Sequence, residues 1–539
     1  MISENVAHQE IPALVIKRSL THPWIVFLLL AILATLIYSN TFSASFHLDD
    51  TQNIVENSQI KNLSNLLDLS GSRYVGFLFF SFNYRIGQLN VFGYHLVNLL
   101  IHITNSFLVY CLVLMLLRIP PPPLTPHSSR LTVASGIAIA TSVLFAVHPI
   151  QTQAVTYIVQ RFASLATLFY LLSLFLYLKW RLAEQTSRPR SLYYAGALLC
   201  TVVAMKTKEI SFTLPFILLL VEAIFFRSLT RRQCIALIPF LLTLPIIPLS
   251  SRPEQYGDAK TGFALQTTDI SRWDYLFTQF RVVMTYLRLL LFPVHQNLDY
   301  DYPISHSLLE PRVFFSFLFL LALLTLSLYL LFRQPWPSHA SRLAAFGILW
   351  FFLTLSIESS IIPIQDVIFE HRLYLPSVGF LLSFVSGGSL VISGLMRRWR
   401  VVGLIAIGVL VIILSVATYQ RNLIWKDELS LWTDVVQKSP NKARGHNNLG
   451  VAYQMQGRID EAIQEYKTAL TLKSDYADPH NNLGFAYQGL GRLDEAIQEY
   501  KTALTLNPQY TKAYSNLGFA YLEQGRIPEA LSAFKGRLN

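Results

Sequence analysis

The chain has 539 residues, of which 53% are apolar and only 14% are charged, and its mean hydropathy is +0.41. Soluble domains carry about 25% charged residues, so this composition excludes an ordinary soluble protein and predicts that much of the chain lies in lipid. The net charge is +11, which we attribute to basic cytoplasmic loops of a membrane protein rather than to a nucleic-acid partner.

Several common chemical motifs are missing from the sequence. Its three cysteines show no CxxC spacing and no clustering with histidine, so we expect neither a disulfide framework nor a structural zinc site. No P-loop, GxSxG, HExxH or GxGxxG motif occurs. The sequence therefore implies no nucleotide-binding or soluble-cofactor fold.

Long apolar runs recur along the first 420 residues. A membrane-spanning helix needs about 20 predominantly apolar residues, and eleven runs approach that length. The first, "PWIVFLLLAILATLIYS", has no small-residue cleavage site after it and is typical of a retained signal anchor. We predict an all-α fold, a polytopic membrane bundle of about eleven spans followed by a solenoid, with the spans at 23–39, 94–117, 131–147, 162–180, 191–205, 210–226, 234–250, 312–332, 343–357, 373–395 and 401–419.

Charge predicts which side of the membrane each connector faces. If the N-terminus is inside, the alternate connectors are short and rich in Arg and Lys, as the positive-inside rule requires. That alternation holds only if 275–292, which contains two arginines, does not cross the membrane. We interpret it as an interfacial or re-entrant helix, which places 251–311 and the chain after residue 420 outside.

A different kind of domain begins after residue 420. The stretches "HNNLGVAYQMQGRIDEAIQEYKTALTL" and "HNNLGFAYQGLGRLDEAIQEYKTALTL" recur with a 34-residue period, which is the signature of tetratricopeptide (TPR) repeats. Small residues let paired helices approach closely, and Gly457 and Gly491 are placed to end the first helix of each pair. We divide the chain into a membrane domain and a TPR α-solenoid with three repeats, with bounds 1–420 and 421–539 and repeats at about 444–477, 478–511 and 512–539.

The two ends of the solenoid differ from its repeats. The segment "DELSLWTDVVQKSP" resembles the second helix of an incomplete leading repeat. Solenoids usually end in a polar capping helix, and the chain stops at Asn539 without one. We therefore expect the C-terminus to be truncated or covered by another element.

Two adjacent carboxylates, Asp49 and Asp50, follow the first apolar run by about ten residues. An ionisable residue so close to the bilayer is a functional hypothesis by default. Adjacent acids push each other's pKa apart, which suits a general base with a partner carboxylate. Metal ligation is an alternative, with Asp299 and Asp301 of "DYDYP" as further oxygen ligands, and a solvated loop or helix cap is another.

Basic side chains also gather on the predicted outer face. Lys206 and Lys208 lie in the tight turn "KTKE", where they oppose the positive-inside bias. Lysines at helix ends commonly snorkel towards headgroups, but Lys and Arg are also the usual partners of phosphate. We hypothesise a clamp for the phosphate of a lipid-linked donor, formed by Arg161, Lys206, Lys208 and Arg372.

Further polar residues on the same face are candidate ligands of the substrate. His148 at a span end fits a capping residue as well as a ligand. The run Glu370-His371-Arg372 fits an internal salt-bridge cluster as well as a binding site. The full set of substrate-binding candidates is His148, Glu209, Asp299, Asp301, Glu370 and His371.

Six motifs, followed by TPR repeats, resemble the bacterial form of the transmembrane-and-TPR protein O-mannosyltransferase family. They occur in the order "FHLDD", "NVFGYHLVNLLIHITNSFLVYCL", "LFAVHPIQTQAVTYIVQRFASLATLFYLLSLFLYL", "KTKEISFTLPFILLLVE", "FPVHQNLDYDYP" and "EHRLYLPSVGF". The resemblance implies a C-type membrane glycosyltransferase fold, a lipid-phosphate sugar donor and inversion at the anomeric carbon. The implied acceptor is a Ser or Thr hydroxyl of an exported protein, and the implied sugar is mannose or another hexose.

The same resemblance implies roles for particular residues. One acid of the pair Asp49/Asp50 is the expected base, and Lys208-Glu209 and Arg372 match outer-face motifs of the family. This chain has Gln151 and Gln153 where better-studied animal members tend to have His and Glu. A pocket lined by amides can favour a different hexose or an N-acetyl sugar. No cofactor is firmly implied, and a divalent metal stays an open alternative.

Two other classes of function compete with a transferase. A membrane-anchored TPR scaffold for envelope assembly would have no need for acids and lysines from five connectors to converge. A transporter would place charges at mid-span, where these runs are largely apolar. The partners expected for the transferase are the lipid-linked donor, the membrane and an exported acceptor or partner protein in the TPR groove. In a bacterium with two membranes, the chain would lie in the inner membrane with its active site and TPR domain facing the periplasm; in a eukaryote they would face the endoplasmic reticulum lumen. The bacterial-type motifs favour the first location.

Overall fold

The computed structural model describes residues 22–62, 71, 73–119, 128–183, 189–227, 230–250, 270–332, 338–364, 366–393 and 397–536. Within those ranges every regular element is a helix, which confirms the predicted all-α class. The chain divides into two units. The membrane unit comprises the described parts of 1–296 and 303–423, and the TPR unit comprises 297–302 and the described part of 424–539. The basic N-terminal segment and parts of several basic connectors lie outside the described residues.

Some helices of the membrane unit begin at a residue that favours helix initiation. The Asn90 side chain accepts a hydrogen bond from the Phe92 amide, and a proline opens the first helix. Short 3₁₀ or π turns lie at Ser39–Thr41, Thr51–Val55, Pro149–Gln151, Ile158–Gln160, Glu209–Thr213, Glu222–Phe226 and Glu370–Leu373. The α-helices are Pro23–Ile37, Ser58–Lys61, Tyr74–Gly87, Val91–Arg118, Ser128–Val147, Thr152–Val155, Arg161–Leu182, Pro189–Met205, Leu214–Val221, Arg231–Leu241, Ile246–Ser250, Arg272–Leu291, Pro311–Phe332, His339–Leu355, Pro376–Ser393 and Arg397–Ile424.

The number of spans is smaller than the sequence predicted. Six described helices are long and apolar enough to cross a membrane, or seven if a helix pair bent by 52° at His148 forms one span. Eleven spans are therefore not confirmed. Part of the shortfall is length, because Pro23–Ile37 has 15 residues and His339–Leu355 has 17, fewer than the roughly 20 that a hydrocarbon core requires. The six helices are Val91–Arg118, Ile158–Leu182, Glu209–Phe226, Arg231–Ser250, Pro311–Phe332 and Val401–Ile424.

These helices differ in how much of their apolar surface the protein covers. The most apolar stretch of Val91–Arg118 is 72% buried, whereas that of Pro311–Phe332 is 17% buried and that of Val401–Ile424 is 11% buried. A helix that is apolar all round and mostly uncovered by protein suits contact with lipid. The burial order therefore places Val91–Arg118 in the middle of the bundle and the other two helices at its edge.

One tight helix contact positions a segment that carries candidate site residues. His339–Leu355 and Pro376–Ser393 approach so closely that a Cβ atom added to Gly347 would lie 2.4 Å from the Gly379 carbonyl oxygen. Small residues permit such backbone contact between membrane helices. The Trp350 indole nitrogen also donates to the Leu375 carbonyl at 3.0 Å. These contacts hold the chain immediately after the Glu370–Leu373 turn.

The TPR unit forms the helix pairs that its 34-residue period predicted. Gly457 and Gly491 have φ of +75° and +72°, a region that favours glycine, and each follows the first helix of a repeat. Gly450 lies against Tyr466, so a Cβ added there would be 2.6 Å from the ring. The helices are Glu428–Lys438, Ala443–Met455, Ile459–Leu472, Ala477–Gly489, Leu493–Leu506, Thr511–Glu523 and Ile527–Gly536.

The contact between Gly450 and Tyr466 can be tested by substitution. Gly450→Ala is expected to destabilise the TPR unit by about 1–3 kcal/mol, because an added methyl group overpacks the helix pair. Gly489→Ala is the matched control, since nothing lies within 4 Å of its added Cβ. The measurement is the temperature at which trypsin begins to cut between residues 424 and 536 of the purified full-length protein. Equal temperatures for Gly450→Ala and the wild type would contradict the packing described here.

Candidate functional site

Asp50 joins two segments of the membrane unit that are distant in sequence. Its side chain is completely buried. One carboxylate oxygen accepts a hydrogen bond from the His47 amide at 3.0 Å, and the other accepts from the Val159 amide at 2.7 Å. Backbone amides are strong partners for a carboxylate. Asp50 therefore fixes the turn 47–50 against the connector 148–161.

Asp49 lies on the same turn but in a different environment. Its side chain is exposed, its amide donates to the Tyr157 hydroxyl at 3.0 Å, and a side-chain hydrogen bond also links it to Tyr157. The preceding residue, Leu48, has a φ of +45°, a left-handed conformation that costs about 1–2 kcal/mol for a residue with a side chain. The turn thus holds the Asp50 carboxylate inside the protein and presents the Asp49 carboxylate at the surface.

The two acids are also distinguished electrostatically. Burial raises the pKa of Asp50 to about 7, although hydrogen bonds from the backbone of His47 and Val159 act in the opposite direction. The negative charge of Asp49 adds a smaller upward contribution to the same pKa. Burial is therefore the main cause of the shift, and repulsion between adjacent acids, on which the sequence argument relied, is secondary.

Gln153 connects the 148–161 connector to the Glu370–Leu373 turn. Its side-chain oxygen accepts from the His371 amide at 2.6 Å and lies 3.1 Å from the His371 Nδ1 atom. A carbonyl oxygen can only accept, so Nδ1 carries the proton in the neutral ring and Nε2 is left as an acceptor. Burial lowers the pKa of His371 well below its usual value, and the positive charges of Lys208, Arg372 and Arg73 lower it further.

Three cations that act electrostatically on His371 each have a partner of their own. The Lys208 Nζ atom lies 3.1 Å from a Glu358 carboxylate oxygen. The Arg73 Nε atom lies 3.5 Å from Glu209. Arg372 donates to two backbone carbonyls of the preceding loop, at residues 366 and 367. The structure therefore brings together Lys208, Glu209, His371 and Arg372 of the predicted set.

Arg161 occupies a different position from the one expected. Its side chain is fully buried. The guanidinium donates to the side-chain oxygens of Asn83 and Asn98 and to the Tyr94 carbonyl, the last two at 2.6 and 2.9 Å, and it lies over the Phe80 ring. These contacts hold three helices together, so we leave Arg161 out of the phosphate clamp.

Three other predicted residues also have structural contacts in the membrane unit. Lys206 donates to the Ser250 hydroxyl. His148 accepts from the Ile150 amide at 3.1 Å and contacts the Leu290 carbonyl through Nε2, which matches the capping interpretation. Glu370 accepts from the Gln296 side chain at 2.8 Å and is buried.

Asp299 and Asp301 lie in the TPR unit. Both Asp299 oxygens accept from the Arg444 guanidinium, at 2.7 and 2.6 Å, and Lys442 pairs with the same carboxylate. Burial alone would raise the pKa of Asp299, but these two cations outweigh it and hold the pKa below its usual value. The Asp301 amide donates to the Ser439 hydroxyl at 3.0 Å. Asp299 is thus occupied by partners of its own unit.

Metal binding finds no further support among the residues that the structure describes. In that part of the chain, no group of three or more His, Cys, Asp or Glu side chains is arranged to hold a metal ion.

Some contributors to the site gave no usable signal in the sequence. Tyr157 is an ordinary aromatic residue of the 148–161 connector, and only the fold places its hydroxyl beside Asp49. The left-handed conformation of Leu48 has no sequence signal, because glycine or asparagine is the usual residue there. Gln153 departs from related sequences, but nothing in the sequence indicates its contact with His371.

These features define an all-helical integral membrane protein with a C-terminal TPR domain. A family model described as "TPR repeat" matches residues 455–491 and 489–525, and one described as "Tetratricopeptide repeat" matches 443–465. Among solved structures, a crystal structure of MamA is 30% identical with a TM-score of 0.20, covering 20% of this chain and 64% of that one. The second TPR of Spaghetti (RPAP3) bound to an HSP90 peptide is 25% identical with a TM-score of 0.18, covering 18% of this chain and 90% of that one.

Similarity over most of the chain is to proteins named protein O-mannosyl-transferases. Tmtc3 of Drosophila melanogaster is 25% identical over 83% of this chain and 55% of its own length. Human TMTC2 is 26% identical over 82% of this chain and 62% of its own length, and human TMTC1 is 27% identical over 83% and 55%. The resemblance seen in the sequence motifs is confirmed, and the chain is a homologue of these transmembrane-and-TPR proteins. It spans 55–62% of their length.

A substitution of Arg161 tests whether this residue stabilises the fold or binds the donor. Arg161→Lys cannot reproduce the three directions in which the guanidinium donates, and each buried oxygen left unpaired costs about 1–3 kcal/mol. We expect a clear fall in the thermal unfolding midpoint in detergent, whereas Arg288→Lys, at an exposed arginine, should have little effect. An unchanged midpoint combined with weaker donor binding would instead assign Arg161 to the phosphate.

Proposed function

We propose that the membrane unit is a glycosyltransferase. It moves a sugar, mannose or another hexose, from a polyprenyl-phosphate carrier to Ser or Thr hydroxyls of exported proteins, on the extracytoplasmic side of the membrane. In a bacterium with two membranes that side is the periplasm. The names of the homologues support transfer of a sugar, and the separation of roles between Asp49 and Asp50 is the observation that carries the proposal.

Asp49 is the proposed general base. A Ser or Thr hydroxyl is a weak nucleophile, so a positioned carboxylate is needed to take its proton as its oxygen attacks the anomeric carbon. The attack breaks the bond from that carbon to the phosphate oxygen, and a single displacement inverts the configuration. Asp50 cannot serve as the base without giving up a backbone amide, because both of its oxygens already accept one. Its role is to position the turn.

Lys208 and Arg372 are the proposed partners of the departing phosphate. Negative charge grows on the phosphate oxygen as its bond to the sugar breaks, and fixed cations nearby stabilise that change. Arg73 adds a third positive charge to the same neighbourhood, because its Nε atom lies 3.5 Å from Glu209, the residue that follows Lys208. The neutral His371 ring is suited to accept a hydrogen bond from a sugar hydroxyl through Nε2.

The base assignment is tested by comparing Asp49→Asn with Asp50→Asn in cells. Exported peptides are searched by mass spectrometry for any added mass on Ser or Thr. We expect Asp49→Asn to accumulate and insert normally while a hexose-sized mass falls by about 10²–10⁴-fold, the usual contribution of a general base. Asp50→Asn should lower the amount of folded protein, because its amide places an N–H group against a backbone N–H.

Three outcomes of that comparison are distinct. Normal modification in folded Asp49→Asn would refute Asp49 as the base. Loss of modification only in folded Asp50→Asn would exchange the two roles. No modification that depends on the wild-type protein would favour the TPR scaffold over the transferase.

The proposed phosphate site predicts opposite changes in the donor KM for substitutions of Lys208 and Glu358. Lys208→Gln removes a cation, so it is expected to raise the KM for the lipid-linked donor. Glu358→Gln removes the carboxylate that lies 3.1 Å from Lys208, so it should lower that KM. The measurement is initial rate against donor concentration with the purified protein in nanodiscs. A KM that moves in the same direction for both variants would show that Lys208 does not contact the donor phosphate.

A further inference from the structure

His446 lies on the first helix of the first TPR repeat, and both of its ring nitrogens contact oxygen atoms. Nδ1 lies 2.6 Å from a Glu465 carboxylate oxygen, and Nε2 lies 2.8 Å from the Pro440 carbonyl oxygen. A carbonyl oxygen can only accept a hydrogen bond, so Nε2 carries a proton. In a neutral ring, the Nδ1 lone pair would then face the lone pairs of an ionised carboxylate. The two contacts together therefore require one additional proton, on the ring or on the carboxylate.

The surroundings of His446 favour that additional proton. The hydrogen bond to Glu465 raises the pKa of His446 above its usual value, the Pro440 carbonyl adds to the rise, and burial acts in the opposite direction. Charged side chains on the neighbouring elements have other partners: Asp434 pairs with Lys438, Asp299 with Lys442 and Arg444, Glu461 with Arg458, and Asp478 contacts Tyr476 and Tyr510. Glu465 is therefore the charged group that bonds to the ring.

The Pro440 carbonyl belongs to a loop, residues 439–442, that holds another segment of the TPR unit. Two side chains of the loop bind residues 297–302. The contacts are Ser439 with Asn297 at 2.8 Å and with Asp301 at 3.0 Å, and Lys442 with Tyr300 at 2.9 Å and with Asp299. His446 thus fixes a loop that in turn binds the segment 297–302.

The second repeat contains the same pair of side chains without the second contact. The His480 Nδ1 atom lies 2.6 Å from a Glu499 carboxylate oxygen, and among the described residues no acceptor bonds to its Nε2 atom. A neutral His480 ring can place its single proton on Nδ1 and keep this contact. The third repeat has Tyr514 and Ala533 at the two positions. The need for an additional proton is therefore a property of His446 and not of the repeat.

We propose that His446 is a pH-sensitive contact, which fastens loop 439–442 and with it segment 297–302 to the first repeat while the additional proton is bound. After loss of that proton, the neutral ring can keep its bond to Pro440 or its bond to Glu465, but not both. Because the folded-state pKa is raised, the stabilisation is present below the ordinary histidine value of about 6.5. It is lost as the pH rises through the folded-state pKa. This contact is independent of the proposed transferase activity.

Hydrogen exchange measures how firmly the loop is held. The full-length protein in nanodiscs is exchanged at about pH 6 and at about pH 8.5, on either side of the usual histidine range. Mass spectrometry then gives protection factors for 297–302 and 439–446, corrected for the intrinsic effect of pH on exchange. The variants are His446→Gln and Glu465→Gln, and the matched control is His480→Gln. The amide of Glu465→Gln can donate to Nδ1 of the neutral ring, so both contacts of His446 survive without the additional proton.

We expect wild-type protection of both segments to fall several-fold from the lower to the higher pH, and His480→Gln to behave in the same way. His446→Gln should show weak protection at both pH values, whereas Glu465→Gln should show strong protection at both. Wild-type protection that does not change with pH would overturn the proposal. So would a fall at high pH that persists in folded His446→Gln or in Glu465→Gln, or that is lost in His480→Gln. If His446→Gln does not fold, the comparison of Glu465→Gln with the wild type decides.

Discussion

The candidate site depends on one buried carboxylate that is held by two backbone amides. Asp50 bonds to the amides of His47 and Val159 and thereby joins residues 47–50 to a connector more than a hundred positions later. A buried charge is tolerated only when its partners replace water. That requirement sets the conformation of the turn, including the left-handed residue before Asp49, and leaves Asp49 exposed beside Tyr157. The arrangement of the proposed base thus follows from a neighbour to which we assign a positioning role.

The connector that Asp50 holds also organises the cationic part of the site. Gln153 lies on it and binds both the amide and the ring of His371. Burial, and then the charges of Lys208, Arg372 and Arg73, lower the pKa of that ring. One short segment therefore contacts the acidic turn through residues 157–159 and the Glu370–Leu373 turn through Gln153. The packing of His339–Leu355 against Pro376–Ser393 holds the chain just beyond that second turn. Asp50 and Arg372 are held by backbone groups, whereas Lys208 pairs with the Glu358 carboxylate.

The features of the fold and the site that could be predicted from the sequence are those with a local sequence pattern. The TPR helices follow from a 34-residue period and from glycines that the helix pairs require, and these predictions are confirmed. The convergence of Lys208, Glu209 and Arg372 also followed from charge on one predicted membrane face. The eleven spans are not confirmed. An apolar run in the sequence indicates composition, but it does not give the length of the helix that forms within it.

The remaining differences between prediction and structure concern the burial of side chains, which no local sequence pattern indicates. Arg161 looked like a surface cation at a span end, yet its partners Asn83 and Asn98 come from two other helices. Asp299 looked like a ligand of the membrane domain because its neighbours in sequence belong there, but its partners belong to a repeat some 145 positions away. Asp49 and Asp50 are adjacent and chemically identical, so only three-dimensional packing could separate them.

Five asparagine side chains of the TPR unit form hydrogen bonds that all run in the same sense, from Asn516 through Asn481, Asn482 and Asn447 to Asn448. Asn447 and Asn481 are buried, and each accepts a hydrogen bond from an asparagine of the following repeat. Removal of that donor would leave a buried oxygen without this hydrogen bond, which costs more than the loss of an exposed contact. The three repeats are therefore coupled by polar contacts as well as by apolar packing, and a substitution in one repeat also affects the repeat before it.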